Sequence, residues 1–398
     1  MRRLPRAKHW RLLLAAFVTA NLLLYAWFLA MRIAGRPVAI PTAVLTACYI
    51  WHLVVLPATM LVLGGWGLVL AVLAGIARVM RRAPAAQASV SPSETADSPS
   101  DPPPALSPPG LTRRQALAAA LVAAPPFAML AGQVRALSQL ADLRVRHLEV
   151  VLPALPPILD GLTIAHVSDV HVGRFTNGPL LDEVVDRTNA LCPDLILFTG
   201  DLIDYSLADL PAGLDMLRRL APQQRLLLCE GNHDLFAGRE EFERRVRGGG
   251  VSLLVNESAI LELRGHQVQI LGLRWVGRGA GHGAVVAEEL DHLLPLRDPE
   301  AFTILLAHHP HAFDRAAAAG IPLTLSGHTH GGQLMLTRNI GAGPLLFKYW
   351  SGLYRKGPSA LAVSNGVGNW FPLRINAPAE ILHLTLRVGA RADFGPVA

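Results

Sequence analysis

Apolar positions fall into two textures along the chain. In the first part they form long uninterrupted stretches. Leu12 to Met31 contains no charged residue and would extend about 30 Å as a helix, enough for a bilayer core. Residues 38–77 are also uncharged apart from the titratable His52. They would make roughly 60 Å of helix, too long for one span. Pro41, Pro57 and Gly64-Gly65 are candidate breaks, so one span with an interfacial lead-in or a tight hairpin would fit. A third apolar stretch follows Arg113-Arg114 and runs to about Val134. From about Leu148 short apolar runs alternate with amphipathic, helix-like stretches, which predicts an α/β sheet domain.

This pattern divides the chain into a membrane region, 1–82, with spans at about 12–31 and within 38–77. A Pro/Ser-rich linker follows at 83–111, of a composition that cannot build a core. Residues 112–147 are a third apolar span or a twin-arginine-like signal segment. The α/β domain covers 148–388, with a tail at 389–398. Asn21, inside the first span, is expected to make an interhelical polar contact.

Composition supports the membrane reading. Hydrophobic residues make up 51% and charged residues only 17%, too apolar for an ordinary soluble protein. Residues 1–142 hold 13 Arg/Lys against 4 acids, leaving 23 against 26 for the rest. The basic excess therefore flanks the apolar stretches and is not a nucleic-acid patch on the α/β domain. Arg78, Arg81 and Arg82 after the second stretch, and Arg113-Arg114 before the third, favour the inner side. The α/β domain is then expected on the outer, periplasmic face of a multi-pass cell-membrane protein. Three cysteines (Cys48, Cys192, Cys229) supply neither a disulfide framework nor zinc spacing.

Candidate chemistry sits where five short apolar runs end. The run to Ser168 leads to Asp169-Val170-His171, and that to Thr199 leads to Gly200-Asp201-Leu202-Ile203-Asp204. The run to Glu230 leads to Gly231-Asn232-His233-Asp234, and that to Ala307 leads to His308-His309. The run to Ser326 leads to Gly327-His328-Thr329-His330. Ligands bind beyond the carboxyl ends of strands in open α/β sheets, so five such ends would gather carboxylates, an amide and imidazoles in one cup. Unpaired, these groups are costly to bury. Mixed oxygen and nitrogen donors suit divalent Mn, Fe or Zn. The donors exceed what one ion needs, and two ions sharing a carboxylate would use them.

In order and spacing these blocks (D-x-H, G-D-x-x-D, G-N-H-D, H, G-H-T-H) resemble the calcineurin-like metallophosphoesterase superfamily. The stretches Gly366 to Arg374 and Ala377 to Ile381 are similar to its bacterial membrane-bound branch, near the enzymes acting on UDP-2,3-diacylglucosamine. The resemblance implies a four-layer αββα sandwich and two divalent metal ions. Asp169, His171 and His330 would hold one ion, Asn232, His308 and His328 the other, and Asp201 would bridge them. His233 would face the substrate and protonate the leaving oxygen, with Asp234 orienting it by accepting its other N–H. His308 is preferred to His309 because it directly follows the apolar run. The expected reaction is attack on phosphorus by a metal-bridging hydroxide, since metal ions bring the pKa of bound water from 15.7 toward about 7.

A phosphodiesterase is the first expectation. A lipid-linked pyrophosphate hydrolase and a non-catalytic metal-binding sensor are the alternatives. The expected partners are a phosphoester substrate, lipid-linked in one version, and the bilayer. His166 is expected in a core role and Asp204 behind the ligands. Arg174 and Arg374 are weak candidates for a phosphate contact. Trp350, Tyr354 and Trp370 fit a substrate lip or core packing equally.

Overall fold

A computed structural model describes residues 6–34, 40–81, 113–223, 225–277 and 282–389. The linker expected at 83–111 and all but the first residue of the tail at 389–398 lie outside these. The chain divides into two compact units, Met1–Leu22 with Ala47–Gln133, and Leu23–Thr46 with Val134–Ala398.

The first unit is built from helices whose residues continue into the second. A helix runs from Arg6 to Ile33. Another runs from Thr42 without a break to Arg81, passing through a π-helical stretch at Trp51–Val55. It does not turn back as a hairpin. Pro57 has no N–H to give and its ring crowds the carbonyl four residues earlier. The wider π turn just before it relieves that conflict, and the helix continues. Gly64 and Gly65 lie inside the same helix. Thr42–Ile76, with a mean hydropathy of 2.2, is the one helix among the described residues long and apolar enough to cross a membrane. Asn21 makes the expected contact between helices, accepting the Cys48 thiol proton at 3.5 Å. The third helix, Arg113–Leu140, leads into the second unit.

That unit holds the α/β domain. Its strands are β1 (Leu143–Leu152), β2 (Thr163–Val167), β3 (Leu195–Thr199), β4 (Arg225–Cys229), β5 (Glu257–Leu263), β6 (His266–Gly272) and β7 (Phe302–Leu306). They continue with β8 (Leu323–Ser326), β9 (Met335–Thr337), β10 (Ile340–Gly341), β11 (Gly352–Lys356), β12 (Ser359–Val363) and β13 (Ala379–Val388). One sheet has the order β1-β13-β2-β3-β4 and the other β11-β12-β8-β7-β6-β5, while β9 and β10 form a small hairpin. β1 starts ahead of residue 148; its early positions Arg144, Arg146 and His147 are polar, so no apolar run marks where this edge strand begins.

The sheets pack face to face. Ile164, Leu195, Leu197 and Leu227 meet Ile270, Ile304, Leu306 and Leu325 in one buried cluster. Alternate residues of the same strands point the other way. Ala165, Val167, Ile196 and Phe198 pack on helices at Pro179–Ala190, Leu210–Arg219 and Arg239–Gly248. Leu271 and Leu305 do the same against helices at His282–Leu293 and Ala312–Ala318. Strands buried on both faces are apolar at nearly every position, which is why their runs stood out. β2, β3 and β4 are parallel, as are β6, β7 and β8.

Candidate metal centre

Each cluster of polar residues follows the carboxyl end of a parallel strand. Asp169 and His171 follow β2, Asp201 follows β3, Asn232 and His233 follow β4, His308 follows β7, and His328 and His330 follow β8. The backbone must turn sharply there to aim these side chains inward. Asp169, His171, Asp201, His328 and His330 all adopt left-handed φ values between 49° and 70°. Such conformations cost about 1–3 kcal/mol each in a non-glycine residue and persist where the surroundings over-determine them. The motif glycines allow the close approach. A Cβ on Gly231 would lie 2.2 Å from Asp201 Oδ1, and one on Gly327 would lie 2.1 Å from Asp169 Oδ2.

Six of the seven expected ligands come together in two groups. Asp169, His171 and His330 bring ligand atoms within 4.8 Å of one another, and Asp201, His308 and His328 form a second such group. His171 and His330 place their Nε2 atoms 2.9 Å apart. His308 Nε2 lies 3.2 Å from His328 Nδ1 and 3.1 Å from Asp201 Oδ2. Asp201 Oδ2 is also 3.5 Å from His171 Nε2, so it touches both groups. Asn232 is buried, and neither side-chain atom has a hydrogen-bond partner among the described residues. A buried amide without partners is costly, and an ion taking its oxygen would lower that cost. Burial opposes charge on His308, but Asp201 outweighs it and pushes the imidazole up to about 9. The cup thus carries a negative field that calls for cations. The donor set fits divalent ions.

Supporting contacts fix the donors. The Thr199 carbonyl lies 2.6 Å from His308 Nδ1, accepting its proton and leaving Nε2 for the cup. Thr199 Oγ1 donates to Ser168 Oγ at 2.8 Å, and Ser168 Oγ donates to Asp169 Oδ2 at 2.5 Å. His166 stands behind this chain, 2.8 Å from Thr199 Oγ1. Burial pushes it down to about 3, so it is neutral.

Several sequence expectations need correction. Asp234 does not hold His233. Its carboxylate accepts backbone N–H groups of Asp201, Leu202, Ile203 and Gly231 at 2.8–3.1 Å, tying the β3 and β4 turns together. One residue along a turn points elsewhere, and the partner of His233 is Asp204. Its carbonyl is 2.7 Å from His233 Nδ1 and its carboxylate 3.3 Å. Arg374 is fully buried and donates to the carbonyls of Asn365, Gly366, Gly368 and Ala377, with Nη2 3.2 Å from His330 Nδ1, so it braces the site and is not open to a phosphate. Arg174 lies over the rings of Phe28 and Phe175 and donates to the Ile40 carbonyl. Ser168, Thr199 and Trp275 were missed. The first two read as strand ends. The Trp275 ring lies edge-on to His308 and tilted against His328, with centroids 5.2–5.4 Å away; its backbone N–H donates to Glu230, and no motif flagged it.

Two packed sheets whose carboxyl ends pool acids, imidazoles and an amide form a cup whose donors suit divalent ions. Comparison with known proteins makes this specific. The family model for calcineurin-like phosphoesterases matches residues 162–332. An uncharacterised metallophosphoesterase of Bacillus subtilis, YkuE, is 31% identical over 243 residues, 58% of this chain and 82% of that protein. The phosphodiesterase YaeI of Escherichia coli is 30% identical over 233 residues, 56% of this chain and 81% of that protein. A zebrafish transmembrane protein with metallophosphoesterase domain is 30% identical over 256 residues, 61% of this chain. The chain spans only 57% of that relative's length. The chain belongs to the calcineurin-like phosphoesterase family.

Proposed function

We propose that the chain is a membrane-anchored, two-metal phosphodiesterase with an αββα catalytic domain on the outer face of the cell membrane. One observation carries the catalytic part: Asp201 touches both ligand groups. Asp169, His171 and His330 would hold one ion, Asn232, His308 and His328 the other, and Asp201 would serve both. Mn, Fe or Zn suits this donor set. Such ions, when bound, supply positive charge for phosphoryl oxygens and make water more acidic.

The chain's own residues do the rest. His233 gives its Nδ1 proton to the Asp204 carbonyl, leaving Nε2 to carry the proton that moves. Burial opposes its charge, but Asp201 and Asp204 outweigh this and raise its pKa above the ordinary value. It can therefore hold a proton and pass it to the leaving-group oxygen. Phe236, Tyr205 and Trp370 pack around the ring with centroids 4.7–6.3 Å away and limit its orientations. Asp234 keeps the Asp201 turn in place.

The helix Thr42–Ile76 supports the membrane part. Leu45, Cys48, Ile50 and Trp51 in its first turns are buried, whereas Leu61, Leu63, Leu68, Leu70 and Leu73 are exposed. Leu56 to Ile76 would cross about 30 Å. The arginines after it would then stay inside, with the catalytic domain outside.

Full-length protein in detergent should hydrolyse bis-p-nitrophenyl phosphate faster than p-nitrophenyl phosphate, lose that activity on chelation and regain it with Mn. Hydrolysis of neither compound by metal-replete protein would favour a metal-binding sensor. His233→Ala should keep its metal and lose about 10²–10⁴ of the rate. A reporter fused to the C-terminus should score outside the cytoplasm; a cytoplasmic signal would overturn the topology.

A further inference from the structure

The loop after the last ligand is unusual for a folded surface. Leu336, Ile340, Leu345 and Leu346 are 75%, 59%, 82% and 66% exposed, all within the hairpin β9–β10 and the short helix Ala342–Leu346. This is an ordered element. Met335 N–H donates to the Ile375 carbonyl, Ala342 N–H donates to the Leu334 carbonyl, and Asn376 Nδ2 donates to the carbonyls of Met335 and Leu336. The backbone is satisfied on the inner side while the leucines face outward. Contiguous exposed apolar side chains of this kind mark interaction surfaces.

Three observations identify what they meet. First, the loop borders the metal centre: Phe347, at its end, lies with its ring 6.1 Å from that of His328. Second, its charge has one sign. No acid occurs between Asp314 and Glu380. Arg338 is exposed at the hairpin tip, and Lys348 and Lys356 share the single carboxylate of Asp314. Third, the segment 372–376 that holds the loop also holds the ends of the N-terminal helices. Thr46 donates to the Pro372 carbonyl, Gln139 accepts Asn376 N–H, and Arg135 donates to Asn376 Oδ1.

We propose that Leu336–Phe347 is an interfacial lip that inserts into an anionic phospholipid surface and seats the mouth of the metal centre against it. Apolar side chains enter the headgroup–acyl boundary while Arg338 meets lipid phosphates, as in interfacial anchors. The substrate class that follows is a phosphoester carried on a lipid, presented from the bilayer. This substrate clause rests on the phosphohydrolase reading; the lip itself does not.

The test uses the full chain in lipid nanodiscs with exposed Cys192 changed to Ser. The fluorophore NBD is placed at Leu345→Cys or at Glu300→Cys, the latter ahead of β7 at the opposite end of the sheet. In discs with one-quarter phosphatidylglycerol, NBD at 345 should shift to the blue and be quenched several-fold more by doxyl-labelled lipid than NBD at 300. Arg338→Gln or purely zwitterionic lipid should reduce that quenching. Equal quenching at the two positions would overturn the proposal. So would a blue shift at 345 in detergent that grows with protein concentration, which would mean a second copy covers the lip. Turnover of soluble bis-p-nitrophenyl phosphate in the same discs should be unchanged by Leu345→Ser with Leu346→Ser. Because quenching needs no catalysis, absence of turnover in the unsubstituted Mn-loaded protein with quenching intact would count against the enzymatic reading alone.

Discussion

The two ligand groups of the cup are built differently. Asp169, His171 and His330 are all fully enclosed, all in left-handed backbone conformations, and braced from behind by Ser168, Thr199 and Arg374. In the other group His328 is half-buried and Asn232 has no polar partner among the described residues, although His308 is fixed by Thr199. The first group is preorganised in the protein alone. The second would be completed by an ion that takes the Asn232 oxygen. Donors held in place before binding lose less freedom on binding, so the first group should bind its ion more tightly.

Four substitutions test this contrast. Asp201→Asn keeps the shape and removes the charge shared by both groups. It should weaken both ions and cut turnover by about 10²–10³ or more, checked by metal content and rate. Normal content with unchanged turnover would sink the bridging role. Asn232→Ala should remove one ion and spare the other, visible as a change from two metal equivalents to one in calorimetric titration. Ser168→Ala frees an oxygen of Asp169 and should lower affinity at the tighter step by about 10–100-fold, leaving the weaker step nearly as it was. Asp204→Asn should act least. It removes a charge that favours protonated His233, so the alkaline limb of kcat should move to lower pH with metal affinity unchanged.

Much of the cup was legible in the sequence because donors placed directly after buried strands leave a fixed signature. The apolar runs ending at Ser168, Thr199 and Ser326 became β2, β3 and β8 with their polar clusters at the carboxyl ends. The role of Asp234 was not legible. Adjacent residues in a turn point in different directions, and only the folded turn brings Asp234 to four backbone N–H groups while Asp204 reaches His233. The support from Ser168, Thr199 and Arg374 was equally hidden, since each looks like an ordinary strand end or surface residue. In the N-terminal region, hydropathy located the apolar stretch at 38–77 but not its course. The π turn before Pro57 that keeps it one helix has no sequence signature of its own.

The central claim is that one carboxylate joins two ion sites. Electron paramagnetic resonance of the Mn-loaded protein tests it most directly. Two equivalents of Mn per chain should give the broad multiline spectrum of an exchange-coupled pair, replaced in Asp201→Asn by an uncoupled signal. A simple six-line spectrum in the unsubstituted protein, at one Mn per chain, would contradict it.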